Sequence, residues 1–344
     1  MLDALFLPFS QADSDLPTHG RGLFLRARAG AWQHEHTDFD WHCEQTFKPF
    51  ADVLERGGAH IEQVASDAAF PLVVMLPPRQ REEARALYAR AVHHARDGGV
   101  VVAAIPNNEG ARSGEGDLAR LAGPLRSLSK HKCRVFWTRI DGARVDHALG
   151  EEWLAGDRPR PIEGGAFMSR PGLFAWDRID PASALLVAQL PSTLAGRVGD
   201  LGGGYAFLSC EVLRRCAGVE AIDLYEAEAR ALEPARMNLE RALRERAGTT
   251  TTEVIWHDVT AGLARRYDAI VMNPPFHQGR AEQPELGQAF IAAAANALES
   301  HGSLWLVANR HLPYEAILAA RFAHVDTRVV DKGFKVIHAS GVRA

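Results

Sequence analysis

The chain has 344 residues, 47% of them hydrophobic and 24% charged, with a formal net charge of −4. That length predicts two domains, the composition is that of a globular protein, and the lack of an apolar run of spanning length excludes a membrane helix. Four scattered cysteines without a CxxC pair argue against a disulfide framework or a zinc site and fit a reducing cytoplasm, and the slightly acidic balance leaves any nucleic-acid binding to local basic clusters.

Met1 to Phe6 has no basic flank before its apolar residues, so no secretory signal is expected. In the first half, three short apolar strings read as strands: Val73 to Pro78, Gly98 to Ala103 and Arg134 to Phe136. Residues 156–172 are rich in Gly, Pro and Arg and read as a linker or ordered lead-in loop between domains. Downstream, strands and helices alternate. Gly196 to Asp200 is a strand running into a glycine loop, Phe207 to Cys216 a helix, and Val219 to Asp223 a second strand. Ala227 to Arg246 is a long helix, Glu253 to Trp256 a third strand, and Tyr267 to Met272 a fourth. A helix over Leu286 to Leu298 stops near Gly302, and Ser303 to Ala308 is a fifth strand. This alternation predicts an α/β domain with a mostly parallel, doubly wound sheet.

The three strings of the first half return in the same order in the second half, about 200 residues later, as Ile270 to Pro275, Gly302 to Val307 and Lys335 to Ile337. An internal duplication follows. The first copy has Leu76 where the second has Asn273, and no acidic glycine loop precedes it. The expectation is a copy that kept the fold and lost the chemistry.

Asn273-Pro274-Pro275-Phe276 follows the fourth strand. An Asn-Pro-Pro break there sets one amide and rigid, donor-free backbone at the carboxyl edge of the sheet, where open α/β sheets bind ligands. An amide oxygen and a prolyl carbonyl side by side can accept both hydrogens of one flat NH2 group, and Phe276 can stack on the ring that carries it. Asp200 to Ala206 supplies a second element, a glycine loop that opens a helix. Asp223, placed at the end of the next strand, has the spacing for ribose hydroxyls, and Asp258 closes the third strand near an adenine edge. A pyrophosphate is disfavoured: Asp200 would repel it, and the third glycine of a dinucleotide fingerprint is missing. An adenosine with a cationic amino-acid tail, S-adenosylmethionine, fits instead.

The stretches PGLFAWDRIDPASALL, DLGGGYAFLS, AIDLYEAEARAL, NPPFHQG, LVANRHLPY and KGFKVIHA, between about Gly165 and Val342, resemble class I S-adenosylmethionine-dependent methyltransferases. Within these they resemble the bacterial ribosomal RNA guanine-amine enzymes of the small subunit, with the large-subunit enzymes as close relatives. Weaker matches in the first half are WHCEQTFKPF, NNEGARSGEGDL and LSKHKCRVFW. The resemblance implies two tandem Rossmann-like methyltransferase domains, the first (1–155) degenerate and cofactor-free, the second (173–344) catalytic. It gives Asp200, Gly202 and Gly204 to the cofactor loop, Asp223 to the ribose, Leu224 to the adenine and Asp258 to its amine. Asn273, Pro274, Pro275 and Phe276 become the catalytic set, Asn273 also bordering the cofactor, with His277, Arg310 and Lys335 as substrate contacts. Ala206 stands where the family has its last glycine.

The implied activity is methyl transfer to a guanine amine of 16S ribosomal RNA. The implied partners are that RNA or the small subunit, met by a monomer with no membrane or metal. Arg126, Lys130, His131, Lys132 and Arg134, or Arg158, Arg160 and Arg170, are candidate RNA contacts, whereas Trp41, Trp137 and Trp153 read as core. The same Asn-Pro-Pro-aromatic arrangement also suits a large-subunit guanine, a protein glutamine or a DNA adenine. A non-enzymatic RNA-binding protein is the remaining alternative.

Overall fold

A computed structural model describes residues 1–11, 15–246, 248–275, 277–278, 281–282 and 284–343. The chain divides into two compact units, Met1–Arg158 and Pro159–Ala344.

The first unit runs α1 (Leu2–Phe6), β1 (Gly20–Leu25), α2 (Trp32–Glu35), β2 (Phe39–Glu44), α3 (Lys48–Arg56), β3 (Phe70–Met75), α4 (Arg81–His94), β4 (Ala95–Pro106), α5 (Ala111–Ala122), β5 (Arg126–Lys130), β6 (Cys133–Arg139) and α6 (His147–Gly156). Its described strands form one sheet in the order β2-β1-β3-β4-β6-β5, with the last two antiparallel. β3 is apolar on both faces because helices cover both: Val73 and Met75 pack on the α4–α5 side, Leu72 and Val74 on the other.

The second unit continues with β7 (Arg160–Ile162), β8 (Phe167–Ser169), α7 (Pro181–Gln189), β9 (Ala195–Leu201), α8 (Phe207–Arg215), β10 (Gly218–Glu226), α9 (Ala229–Glu245), β11 (Thr251–Trp256) and β12 (Tyr267–Met272). Then come β13 (His277–Gln278), β14 (Ala281–Glu282), α10 (Pro284–Ala297), β15 (Leu298–Asn309), α11 (Glu315–Arg321), β16 (Phe322–Asp331) and β17 (Phe334–Val342). The main sheet has the order β11-β10-β9-β12-β15-β17-β16, parallel up to β15 and antiparallel beyond. Alternation along the strands sorts its two cores. Val198, Leu224 and Val271 face α7, α8 and α9, whereas Leu201, Ile270 and Met272 face α10 and α11. The stretch read as a lead-in loop holds the β7–β8 hairpin. Buried Asn238 of α9 ties it down, accepting from Met168 N (2.7 Å) and donating to Met168 O (2.8 Å).

The two sheets share one plan. Leu25 pairs with Met75 as Leu201 pairs with Met272. The first step beyond each strand therefore sets Arg26 against Gly202 and Leu76 against Asn273. Arg26 and Gly202 both adopt positive φ, +56° and +72°. In the first unit the Arg26 guanidinium closes this corner by pairing with Glu83 at 2.7 Å. No helix among the described residues is long and apolar enough to cross a membrane.

Candidate active site

The site lies at the carboxyl edge of β9, β10 and β12. Asp200 is the last residue but one of β9 and is fully buried. Its Oδ2 accepts the Ser209 N–H (3.1 Å) and O–H (2.6 Å) in the first turn of α8, satisfying a helix-start donor. Its Oδ1 is buried and has no partner among the described residues. Burial pushes this carboxyl up to about 7, the nearby Glu226 charge adding to the rise and the Ser209 bonds opposing it.

Past Leu201 the chain turns back on glycines. Gly202 N (2.8 Å) and Gly203 N (3.1 Å) both donate to Tyr225 O at the end of β10. A Cβ on Gly203 would stand 2.5 Å from Leu224 Cγ, so only glycine fits this crossing. Gly204 has φ +54° and open space where a Cβ would be. Ala206 takes φ +73°, yet its methyl is fully buried in the α7–α9 core and does not enter that open space.

Two cofactor assignments need correction. β10 runs three residues past Asp223, so Asp223 lies inside the sheet and is 2% exposed. Its carboxylate accepts from Arg197 (2.9 Å), Arg265 (2.9 Å) and Tyr267 (3.0 Å), which leaves it buried and occupied, out of reach of a ribose. Leu224 is fully buried beneath Gly203 and presents no face to a ligand. The acid at the edge is Glu226, the last residue of β10. Gly204 N donates to its Oε2 (2.8 Å) and Glu228 N to its Oε1 (2.8 Å). Burial raises its carboxyl too, against backbone bonds from Glu228, Gly204 and Ala227. The carboxylate keeps capacity for a further donor. Half-buried Ala227 follows it. Asp258, two residues past β11, caps the short turn Val259–Ala261. Its Oδ1 accepts from Thr260 N (2.9 Å) and Oγ1 (2.7 Å), and its Oδ2 is free among the described residues.

Asn273 is the first residue beyond β12, one strand away from the glycine loop. The link is direct, since a Cβ on Gly202 would come within 4.0 Å of Pro275 Cδ. Pro274 is buried and Pro275 exposed. Asn273 Nδ2 donates to Asp180 Oδ2 (2.9 Å) and to Ser183 Oγ (2.9 Å). No described residue donates to Asn273 Oδ1. Asp180 and Ser183 escaped the reading of the sequence. They lie about 90 residues upstream, although Asp180-Pro181 followed by Ser183 is a legible helix start, with Asp180 accepting Ser183 N at 2.8 Å.

Phe276 lies outside the described residues, and His277 is placed by its backbone alone, in β13. Arg310 is exposed just beyond β15, its N–H donating to Gly333 O (2.8 Å). Lys335 is a third correction. It is 4% exposed, donates to Leu312 O (2.7 Å) and pairs with Glu315, bracing the turn before α11 from inside. In the first unit Arg126 pairs with Asp15 (2.8 Å) and Arg134 with Glu115 (2.5 Å), while Lys130, His131 and Lys132 are exposed. Trp137 and Trp153 are buried and Trp41 half-buried. Among the described residues no group of three His, Cys, Asp or Glu side chains is placed to hold a metal.

The residues at this edge suit a cation-bearing nucleoside. One buried carboxylate oxygen has no partner among the described residues, a second carboxylate ends the next strand, and an open glycine cradle lies between them. Comparison with known proteins points the same way. Residues 164–338 match the family model described as "Methyltransferase small domain". The ribosomal RNA small subunit methyltransferase C of Psychromonas ingrahamii is 27% identical over 290 residues, 83% of this chain and 80% of the relative. Its namesake from Pseudomonas aeruginosa is 28% identical over 306 residues, 88% of each. The solved T. thermophilus 16S rRNA N2 G1207 methyltransferase, in complex with AdoMet and guanosine, superposes with a TM-score of 0.81 at 25% identity, covering 98% of this chain and 91% of that one. With the family match spanning more than half of its residues, the chain belongs to the methyltransferase small domain family.

Proposed function

We propose that this chain transfers a methyl group from S-adenosylmethionine to the exocyclic amine of a guanine in 16S ribosomal RNA. The observation that carries the reading is Asn273: both amide hydrogens are engaged, its oxygen receives no donor among the described residues, and Pro275 two residues on borders Gly202 of the glycine loop. The names of the relatives and the ligands of the solved neighbour support the same substrate and cofactor.

Asp200 Oδ1, left unpartnered, would take the cationic amino-acid end of the cofactor. Glu226 would take the ribose hydroxyls, and Asp258 Oδ2 the adenine amine. When bound, the cofactor supplies a sulfonium methyl, an electrophile strong enough to need no further activation. Asn273 Oδ1 and the Pro274 carbonyl accept the two hydrogens of the guanine amine and aim its lone pair along the line of attack. Most of the acceleration is therefore positional. The amine needs no base before transfer, because its proton leaves from the acidic methylated nitrogen. Extracting the base costs a few kcal/mol, and stacking on Phe276 returns roughly 1–3 kcal/mol.

The catalytic part is the second domain, 173–344, preceded by the lead-in segment 156–172. The first, 1–155, is a degenerate copy that contributes structure or RNA contacts. Leu76 in place of Asn273 and the Arg26–Glu83 pair in place of the glycine turn at Gly202 support that division. Exposed Lys130, His131 and Lys132, near a cavity of about 500 Å³ lined by Asn107, Arg112, Ser129 and Arg134, favour RNA. A ribosomal RNA substrate supports a cytoplasmic location, and the proposed acting form is a monomer on the small subunit or its RNA.

The test offers labelled S-adenosylmethionine with small subunits, large subunits, naked ribosomal RNA, DNA and release factor in separate reactions. Label in 16S RNA is the expected result. Label confined to protein or DNA refutes the substrate.

A further inference from the structure

Asn273 has two amide hydrogens, and the structure accounts for both. One goes to Asp180 Oδ2 and one to Ser183 Oγ, each at 2.9 Å. A flipped amide would press its oxygen against a carboxylate oxygen at that distance, which has no hydrogen to give. Asp180 thus dictates which end of the amide faces forward. Asp180 is itself fixed, because it caps α7 through Ser183 N (2.8 Å). The loop before it is tied to the residue after the glycine cradle by the bond from Tyr205 O–H to Arg178 O (2.9 Å). Ile179 N adds a bond to Glu163 (3.2 Å).

We infer that Asp180 and Ser183 are positioning residues that lock Asn273 with its oxygen toward the reacting nitrogen, so that the site accepts an NH2 group and rejects a carbonyl in the same place. The inference rests on the proposed role of Asn273. With the lock in place, an amine meets an acceptor. With the lock gone, the turned amide presents its own NH2 to the substrate amine, and two donors repel. Alignment then suffers while binding of cofactor and RNA through other contacts persists.

The full-length chain tests this with Asp180→Gly, Ser183→Ala and Ser183→Thr, alone and in an Asn273→Ala background. Asp180 Oδ2 serves both the cap and Asn273, so the variant must remove that oxygen. Glycine is tolerated at a helix cap, so α7 should still form. The expected result is a kcat about 100-fold lower in Asp180→Gly and about 10-fold lower in Ser183→Ala, with KM and cofactor affinity within about twofold. Ser183→Thr, which keeps the hydroxyl, should restore most of the rate. In the Asn273→Ala background Asp180→Gly should cost nothing more, because the residues act as one unit. A full additional loss there, or wild-type kcat in Asp180→Gly, overturns the inference. A second readout is free of turnover: the Asn273 side-chain amide hydrogens should exchange slowly in the wild type and quickly in Asp180→Gly. Protection with no methyl transfer by the wild type would keep the lock and discard the proposed reaction, whereas no protection discards the lock alone.

Discussion

Gly204 donates its backbone N–H to Glu226 Oε2 at 2.8 Å, and this bond joins the glycine loop to the end of the neighbouring strand. The acid at that edge is Glu226, and Asp223 belongs to the framework below it. The two should therefore fail differently. Glu226→Gln keeps an oxygen for Gly204 but loses the charge, and should weaken S-adenosylmethionine binding about tenfold or more while melting near the wild type. Asp223→Asn leaves Arg197 and Arg265 without their carboxylate and should cost about 2 kcal/mol of stability with little change in cofactor affinity. Calorimetric titration and thermal melting of both variants would show a reversed pattern if the assignment were wrong.

Asp200 predicts a pH dependence of cofactor binding. Its carboxyl is pushed up to about 7 from an ordinary 3.8, so the folded, cofactor-free chain retains a proton that the unfolded chain has already lost. The stability this group contributes is complete below about pH 4 and declines as pH rises through about 7. A bound ammonium needs the carboxylate, so affinity should rise about fivefold between pH 6 and 7, with proton release on binding. Asp200→Asn should flatten the curve. Titrations at the two pH values, in buffers of different ionisation enthalpy, check both statements. A wild-type affinity constant across that interval contradicts them.

Lys335 tests the difference between a surface cation and an internal brace. Burial alone would raise the Glu315 carboxyl, but the Lys335 hydrogen bond and charge hold it below the ordinary glutamate value. Lys335→Met keeps the stem and deletes the bonds to Leu312 O and Glu315, so the expected loss is about 2 kcal/mol of stability. RNA affinity of the folded variant should be unchanged. A large loss of RNA affinity with normal melting would return Lys335 to the substrate surface.

The strands and the site edge were legible because apolar runs, glycine and proline leave local marks. The break at Asn273 and the turn at Gly202 are both visible that way, and so is the echo between Met75 and Met272. The end of β10 was not. Leu224 and Tyr225 continue the apolar run past Asp223, and the pairing of Tyr225 with Leu201 and of Glu226 with Trp256 shows how far the strand reaches. Lys335 looks like any lysine near a sheet edge until Leu312 O and Glu315 are seen around it. Asp180 and Ser183 meet Asn273 through tertiary contact alone, which no local pattern encodes.

Asn273 carries the central claim, and one measurement tests it most directly: nucleoside mass spectrometry of 16S RNA after reaction with the wild type and with Asn273→Ala. The predicted result is N2-methylguanosine from the wild type and a yield at least about 100-fold lower from the variant, with S-adenosylmethionine still bound by both. Equal yields from the two proteins, or methylation at a position other than a guanine amine, would contradict the account.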